Sequence, residues 1–358
     1  MPGGDRGAGA RVPDAPPGVV GRWHHRLPDG RVQCDVCPRE CRLREGQRGY
    51  CFVRQAVGGE VRLTTYGRNS GMAVDPVEKK PLWHFLPGSR ALSFGTAGCN
   101  LGCRFCQNWE LSTSREWDTL GREAEPGDVA AAAMRSGCAS VAYTYNDPTV
   151  FAEYAIDCAQ ACRDVGVRSI AVSAGWISAE ARGALYGAMD AANIDLKGFT
   201  DDFYSRVTGA RLADVLDTLV AVAASPTWLE VTTLLIPGLN DDPAVLRRQF
   251  AWMAAELGAD VPLHLTAFHP AHRMRDVPPT TVAQLRAARE IALGEGVRFV
   301  YTGNVRDLEG STTWCPGCGE ALVVRDRYVV GIDRVDSIDE AGAGTCPDCR
   351  QTVAGVWR

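Results

Sequence analysis

GTAGCNLGCRFCQNW, residues 95–109, carries Cys99, Cys103 and Cys106 within eight residues, spaced C-x3-C-x2-C, and no fourth cysteine follows nearby. A structural zinc or an ordinary ferredoxin cluster takes four protein ligands. Three thiolates can instead hold a [4Fe-4S] cube and leave one iron open to a substrate or an organic cofactor. The x3 and x2 gaps let a single loop wrap the cube, and Gly95, Gly98 and Gly102 let backbone N–H groups approach its sulfides. Completion by a remote cysteine (Cys138, Cys158 or Cys162) is the alternative. Cys158 and Cys162 stand four apart on a helix-like stretch, where small buried cysteines are usually core packing.

The stretch follows a short apolar run, RALSFG (90–95), and six more such runs come after it: SVAYTY (140–145), RSIAVS (168–173), ANIDL (192–196), WLEVTTLLI (228–236), PLHLTAF (262–268) and VRFVYTG (297–303). Helix-like stretches lie between most of them. PGDVAAAAMRSG, TVFAEYAIDCAQACRDVG and DPAVLRRQFAWMAAELG begin with cap residues or Pro and end near Gly. Strands separated by such helices form parallel βαβ units. The expected fold class is α/β, a partial (β/α)6-type TIM-like barrel. Each strand is followed by polar, Gly or Pro residues: GTAGC, NDP, SAG, DLKG, PGLNDD, HP and NV. In parallel barrels the carboxyl-terminal rim carries the active site, so seven such endings point to one site on one rim.

The bulk numbers agree with a large core carrying appendages: 358 residues, 46% of them hydrophobic. No run of eighteen apolar residues suggests a transmembrane helix. The Gly/Pro-rich start, residues 1–20, reads as a disordered tail with no apolar signal-peptide segment, and a cytoplasmic location is expected. Fourteen cysteines in a reducing compartment point to metal ligation, because eleven of them cluster at short spacing. Net charge is -5, which argues against a general nucleic-acid trap. Residues 21–90 carry thirteen Lys or Arg against seven Asp or Glu. That local excess fits either a docking face for an anionic partner or compensation for thiolates on a metal.

The C-x3-C-x-φ-C pattern, with Phe105 as the aromatic, resembles the signature of the radical S-adenosylmethionine (SAM) superfamily. QNWELS, TYNDPT (144–149), NIDLKGF (193–199), TTLLIPGLND (232–241), LTAFHP (265–270) and YTGNV (301–305) are similar to one subgroup, as are CDVCPRECRLREGQRGYC and AVDPVEKKPLWHFLPGS. That subgroup is related to the pyruvate formate-lyase activating enzymes, and within it the radical SAM component of the AmmeMemoRadiSam system is most similar. The resemblance covers residues 30 to 358. It implies a [4Fe-4S] cluster on the three cysteines and SAM chelated to the open iron. An electron passed through the cluster cleaves the sulfonium, and the resulting 5′-deoxyadenosyl radical abstracts a hydrogen atom.

Roles follow from the same resemblance. Phe105 packs near the adenine. Asn146, Asp147 and Pro148 hold the SAM amino group, although Asp147 stands where Glu is expected and its carboxylate is one methylene shorter. Ser173 and Gly175 lie by the carboxylate or ribose, Ile236 lies alongside the adenosine, and Asp195, Lys197 and His269 sit at the barrel mouth. The alternatives are a plain turn for NDP and for SAG, a structural ion pair for Asp195 with Lys197, and a lone rim histidine for His269. His264, inside its strand, is read as structural.

Two outer cysteine groups frame the barrel (90–305). Cys315, Cys318, Cys346 and Cys349 form two knuckles with 27 residues between them, and ALVVRDRYVVG offers the hairpin that joins them. This C-terminal module (306–358) reads as a zinc-ribbon-like tetrahedral zinc site, with rubredoxin-like iron and then redox-active thiols as the alternatives. Cys34, Cys37, Cys41 and Cys51 in the N-terminal module (21–89) read as a second metal site, with zinc and an auxiliary [4Fe-4S] cluster both open. Three functions compete: radical modification of an unidentified substrate, activation of a glycyl-radical enzyme, and a non-catalytic metal-bearing scaffold or nucleic-acid module. A flavodoxin or ferredoxin as reductant is the expected partner. Memo-like and Ammecr-like proteins are further ones.

Overall fold

The computed structural model describes residues 18–115, 121–337 and 343–357. At its centre lies an eight-stranded sheet. Seven parallel strands follow one another in chain order across it: Arg90–Phe94, Ser140–Tyr143, Arg168–Ser173, Ala191–Asp195, Trp228–Leu235, Leu263–Ala267 and Val300–Gly303. Every run read as a strand is in this sheet. The six crossovers carry the helices Pro126–Arg135, Ala152–Arg163, Ala179–Gly187, Leu212–Ala223, Pro243–Glu256 and Val282–Gly294. The two edge strands, Val300–Gly303 and Ala73–Pro76, differ, so the sheet is a partial barrel. Helices on the outer face and side chains within bury the parallel strands on both sides. Ser140–Tyr143 is buried throughout.

Local chemistry marks the helix starts. Thr281 and Gln284 form a reciprocal capping box at Val282–Gly294. Asp242 accepts from the N–H groups of Ala244 and Val245, and Pro243 occupies the first helical position. Cys158 and Cys162 are wholly buried on Ala152–Arg163, as core packing predicts.

Two boundaries differ from the sequence reading. Ala73–Pro76, placed in the N-terminal module, adds antiparallel to Arg90–Phe94 and is the edge of the barrel sheet. The tail expected over 1–20 falls mostly outside the described residues, but Val19 and Val20 pair with Leu63 and Arg62. Sequence patterning missed both because an edge strand of two to four residues carries too little periodicity to read.

The C-terminal module docks on the barrel through a buried polar network. Glu230, on the fifth parallel strand, accepts from the backbone N–H groups of Trp83 and His84, from Trp228 Nε1 and from His264 Nε2 at 2.6–3.0 Å. Arg325, fully buried, donates to Trp83 O and Thr313 Oγ1. His84 lies with Nδ1 2.6 Å from Ala354 O and Nε2 2.5 Å from the Tyr301 hydroxyl. A neutral ring suits this setting: Nδ1–H donates to the carbonyl and Nε2 accepts from the hydroxyl. Burial holds His84 down at about 4. The unfolded chain binds that proton near the ordinary value of about 6.5, so between about 6.5 and 4 the unfolded state carries more protons. Stability is therefore expected to fall on acidification through that window, by on the order of 3 kcal/mol from this group. Denaturant midpoints across the window check it. The His84→Gln protein should lose stability less steeply, and equal slopes would show that the proton goes elsewhere.

Candidate active site

The three-cysteine loop leaves the first parallel strand at its carboxyl end. Gly95 is required there, because a Cβ would stand 2.3 Å from Thr144 O. Gly98 has φ +80°, a conformation L side chains rarely adopt. The loop is pinned from several elements. Gly98 N donates to Leu111 O, Gly102 N to Thr208 O and Arg104 N to Val207 O. Asn146 Nδ2 donates to Gly98 O at 2.8 Å, while its Oδ1 accepts from Thr96 N.

Cys99, Cys103 and Cys106 open into one cavity of about 240 Å³ at the strands' carboxyl ends, lined also by Phe105, Asn146, Asp147, Ser173, Asp195 and Lys197. The rim thus brings together nine of the residues singled out from the sequence around the barrel. Lys197 Nζ lies 2.5 Å from Asp195 Oδ2 and 5.8 Å from the centre of the Phe105 ring. Burial opposes the charge on Lys197, but the Asp195 carboxylate outweighs it and holds the ammonium well above its usual range.

Asp147 is buried, and its carboxylate stitches two strand ends. It accepts from Thr149 N and Ala174 N, and the Ser173 hydroxyl bridges both oxygens at 3.1 and 3.2 Å. Burial pushes its pKa above the ordinary carboxylate value, against these hydrogen bonds. A carboxylate has about four acceptor sites, so one remains for a donor in the cavity.

Four of the singled-out residues stand elsewhere. Pro148 is buried at the start of the 3-10 turn Pro148–Phe151, and Gly175 takes φ +68° in the turn after the third strand. Ile236 is buried, with its N–H held by Asn240 Oδ1. None of these three lines the cavity. His269 is exposed and lines an adjoining cavity of about 330 Å³. Gln107 lines both. Conversely, Gln107, Asn108, Thr144, Thr232 and Thr266 line the cavity at the strand ends and were not anticipated. The two-residue alternation of WLEVTTLL and LHLTA places Thr232 and Thr266 on the inner face, which is the signal that could have found them.

The donor set suits a polynuclear iron–sulfur group. Burial pushes the Cys103 thiol up to about 12 and Cys99 well above its ordinary value, so without metal these two thiols are protonated at neutral pH and metal loading must displace their protons. The Sγ atoms of the loop do not gather within 4.8 Å of one another. The C-terminal tetrad does. All four of its ligand atoms lie within 4.8 Å, with Cys315–Cys349 at 3.5 Å and Cys318–Cys346 at 3.7 Å. Tetrahedral bonds of about 2.3 Å set sulfurs about 3.8 Å apart, so that tetrad fits a single ion. No helix among the described residues is long and apolar enough to cross a membrane.

Comparison with known proteins places this architecture. The Radical SAM superfamily profile matches residues 94–249. An uncharacterized protein of Methanocaldococcus jannaschii is 39% identical over 307 residues, covering 86% of this chain and 91% of its own. Among solved structures, a domain of a pyruvate-formate lyase-activating enzyme from Bacteroides vulgatus is 16% identical with a TM-score of 0.41, covering 46% of this chain and 98% of that one. Streptococcus suis SuiB is 13% identical with a TM-score of 0.47, over 64% of this chain and 52% of its own. On the profile match and on the three-cysteine loop opening into the barrel mouth, the chain belongs to the radical SAM superfamily.

Proposed function

We propose that this protein reductively cleaves SAM at a [4Fe-4S] cluster on Cys99, Cys103 and Cys106 and uses the radical to take a hydrogen atom from a substrate at the barrel mouth. The observation that carries the reading is the convergence of three thiols, a buried carboxylate and the Asp195–Lys197 pair on one cavity. When bound, cluster and SAM supply reductive sulfonium cleavage and the hydrogen-abstracting 5′-deoxyadenosyl radical.

The chain's residues do the rest. Asn146 fixes the backbone of the loop, so the three thiols face the cavity together. The free acceptor site of Asp147 receives the SAM ammonium, while Ala174 N and the Ser173 hydroxyl hold the carboxylate still. Lys197, kept charged by Asp195, presents an ammonium to the carboxylate or ribose. Phe105 offers an apolar face beside it. At the far end of the chain, Cys315, Cys318, Cys346 and Cys349 hold zinc and staple a module too small to form a large core of its own.

Asp147→Ala is expected to weaken SAM binding by roughly one to two orders of magnitude, from loss of a charge-assisted contact of about 1.5–3 kcal/mol. A titration of the iron-loaded variant checks this. Unchanged affinity would leave Asp147 a purely structural stitch. The reading as a whole is tested by anaerobic incubation of the reconstituted protein with SAM and dithionite. Release of 5′-deoxyadenosine is expected, and an iron-loaded, SAM-binding protein that releases none would overturn it.

A further inference from the structure

The four N-terminal cysteines occupy one place beside the barrel loop. Cys34 pairs in register with Cys41 across the strands Val32–Cys34 and Cys41–Leu43. Cys34, Cys37 and Cys51 are buried and Cys41 half-buried. The Cys37 thiol feels the charges of Cys34, Cys51 and Cys41.

Spacing separates the possible occupants. The C-terminal tetrad gathers its sulfurs within 4.8 Å, as ligands of one ion must. Among the described residues, the N-terminal four resemble the barrel loop instead: no three of their Sγ atoms come within 4.8 Å of one another. A four-iron cube binds each thiolate on a different iron and so needs them farther apart than one ion does. The surroundings suit an anionic cluster. Arg54, fully buried on Glu153, acts electrostatically on both Cys34 and Cys51.

The tetrad also touches the barrel loop. A Cβ at Gly98 would stand 2.0 Å from Cys51 O, so the two cysteine-bearing backbones are in contact. Cys51 and the three loop cysteines line a common cavity of about 610 Å³.

We propose that Cys34, Cys37, Cys41 and Cys51 hold a second [4Fe-4S] cluster, ligated at all four irons, that passes single electrons from an external low-potential donor to the barrel cluster. The first half stands without the reading of the barrel as a SAM-cleaving site. The relay rests on that reading. Each transfer oxidises the donor by one electron and reduces the second cluster by one. The electron then moves on, and no bond forms or breaks.

The test is anaerobic reconstitution with ferrous iron and sulfide of two proteins, the full chain and its Cys99→Ala/Cys103→Ala/Cys106→Ala variant, followed by iron, sulfide and zinc analysis. About eight irons are expected in the full chain and about four in the variant, with one zinc in each. After dithionite reduction, the variant should give an unbroadened [4Fe-4S] electron paramagnetic resonance signal. The full chain should show broadening from two neighbouring paramagnetic clusters. Two zincs and no iron in the variant would overturn the proposal. Four irons in each protein would keep the N-terminal cluster and refute the barrel site instead. Eight irons without broadening would overturn the relay. Should that variant not fold, a Cys34→Ala/Cys37→Ala variant reconstituted in the same way decides: about four irons are expected, and an iron content equal to that of the full chain would overturn the second cluster.

Discussion

Replacing Cys99, Cys103 and Cys106 together by Ala is expected to lower 5′-deoxyadenosine formation from SAM to the uncatalysed background. The three sulfurs are the soft donors on the cavity wall, and a methyl group in each place leaves carboxylate, amide and ammonium groups that do not hold an iron–sulfur cube. The loop itself should survive. Its anchors are backbone bonds from Gly98, Gly102 and Arg104 and the Asn146 amide, none of which uses a thiol. The variant's unfolding midpoint is therefore expected near that of the metal-free parent. Product analysis after anaerobic reduction is the measurement, and formation at the parental rate would refute the loop's role.

Glu230→Ala should be the most damaging single substitution away from the cavity, at about 3–5 kcal/mol. Glu230 is fully buried, and its two oxygens satisfy four donors. Removing the carboxylate strands Trp83 N, His84 N, Trp228 Nε1 and His264 Nε2 without acceptors, and each orphaned buried group costs about 1–3 kcal/mol. Trp83 also carries, on its carbonyl, the Arg325 contact that seats the C-terminal module. Chemical denaturation of the zinc-loaded protein measures the loss. A change under about 1 kcal/mol would show that water replaces the carboxylate there.

Residue order was enough for the barrel. Seven apolar runs with polar, Gly or Pro endings, separated by capped helices, define parallel βαβ units, and the local pattern is itself the cause of the fold. It was enough for the cluster loop too, because a loop of eight residues needs no distant partner to bring its thiols together. Asp195 and Lys197, two apart at a strand end, were legible for the same reason.

Tertiary structure decided what depends on distance between segments. Pro148, Gly175 and Ile236 belong to the right motifs but do not line the cavity, and His269 lines the neighbouring one. A motif gives position along the chain and not side-chain direction. Asp147 looked like a ligand, yet most of its acceptor capacity serves Thr149, Ser173 and Ala174 across two strands. Glu230, a charged residue inside an apolar strand, gave no sequence signal of the three donors, Trp83 N, His84 N and His264 Nε2, that converge on it from other segments. The two outer cysteine tetrads, C-x2-C-x27-C-x2-C and C-x2-C-x3-C-x9-C, both read as metal sites from their spacing. The folded chain adds the sulfur geometry: the C-terminal tetrad gathers its sulfurs at single-ion distance, while among the described residues no three of the N-terminal sulfurs come that close. Spacing along a sequence names the ligands, while the separation of the sulfurs in space sets which metal group they can hold.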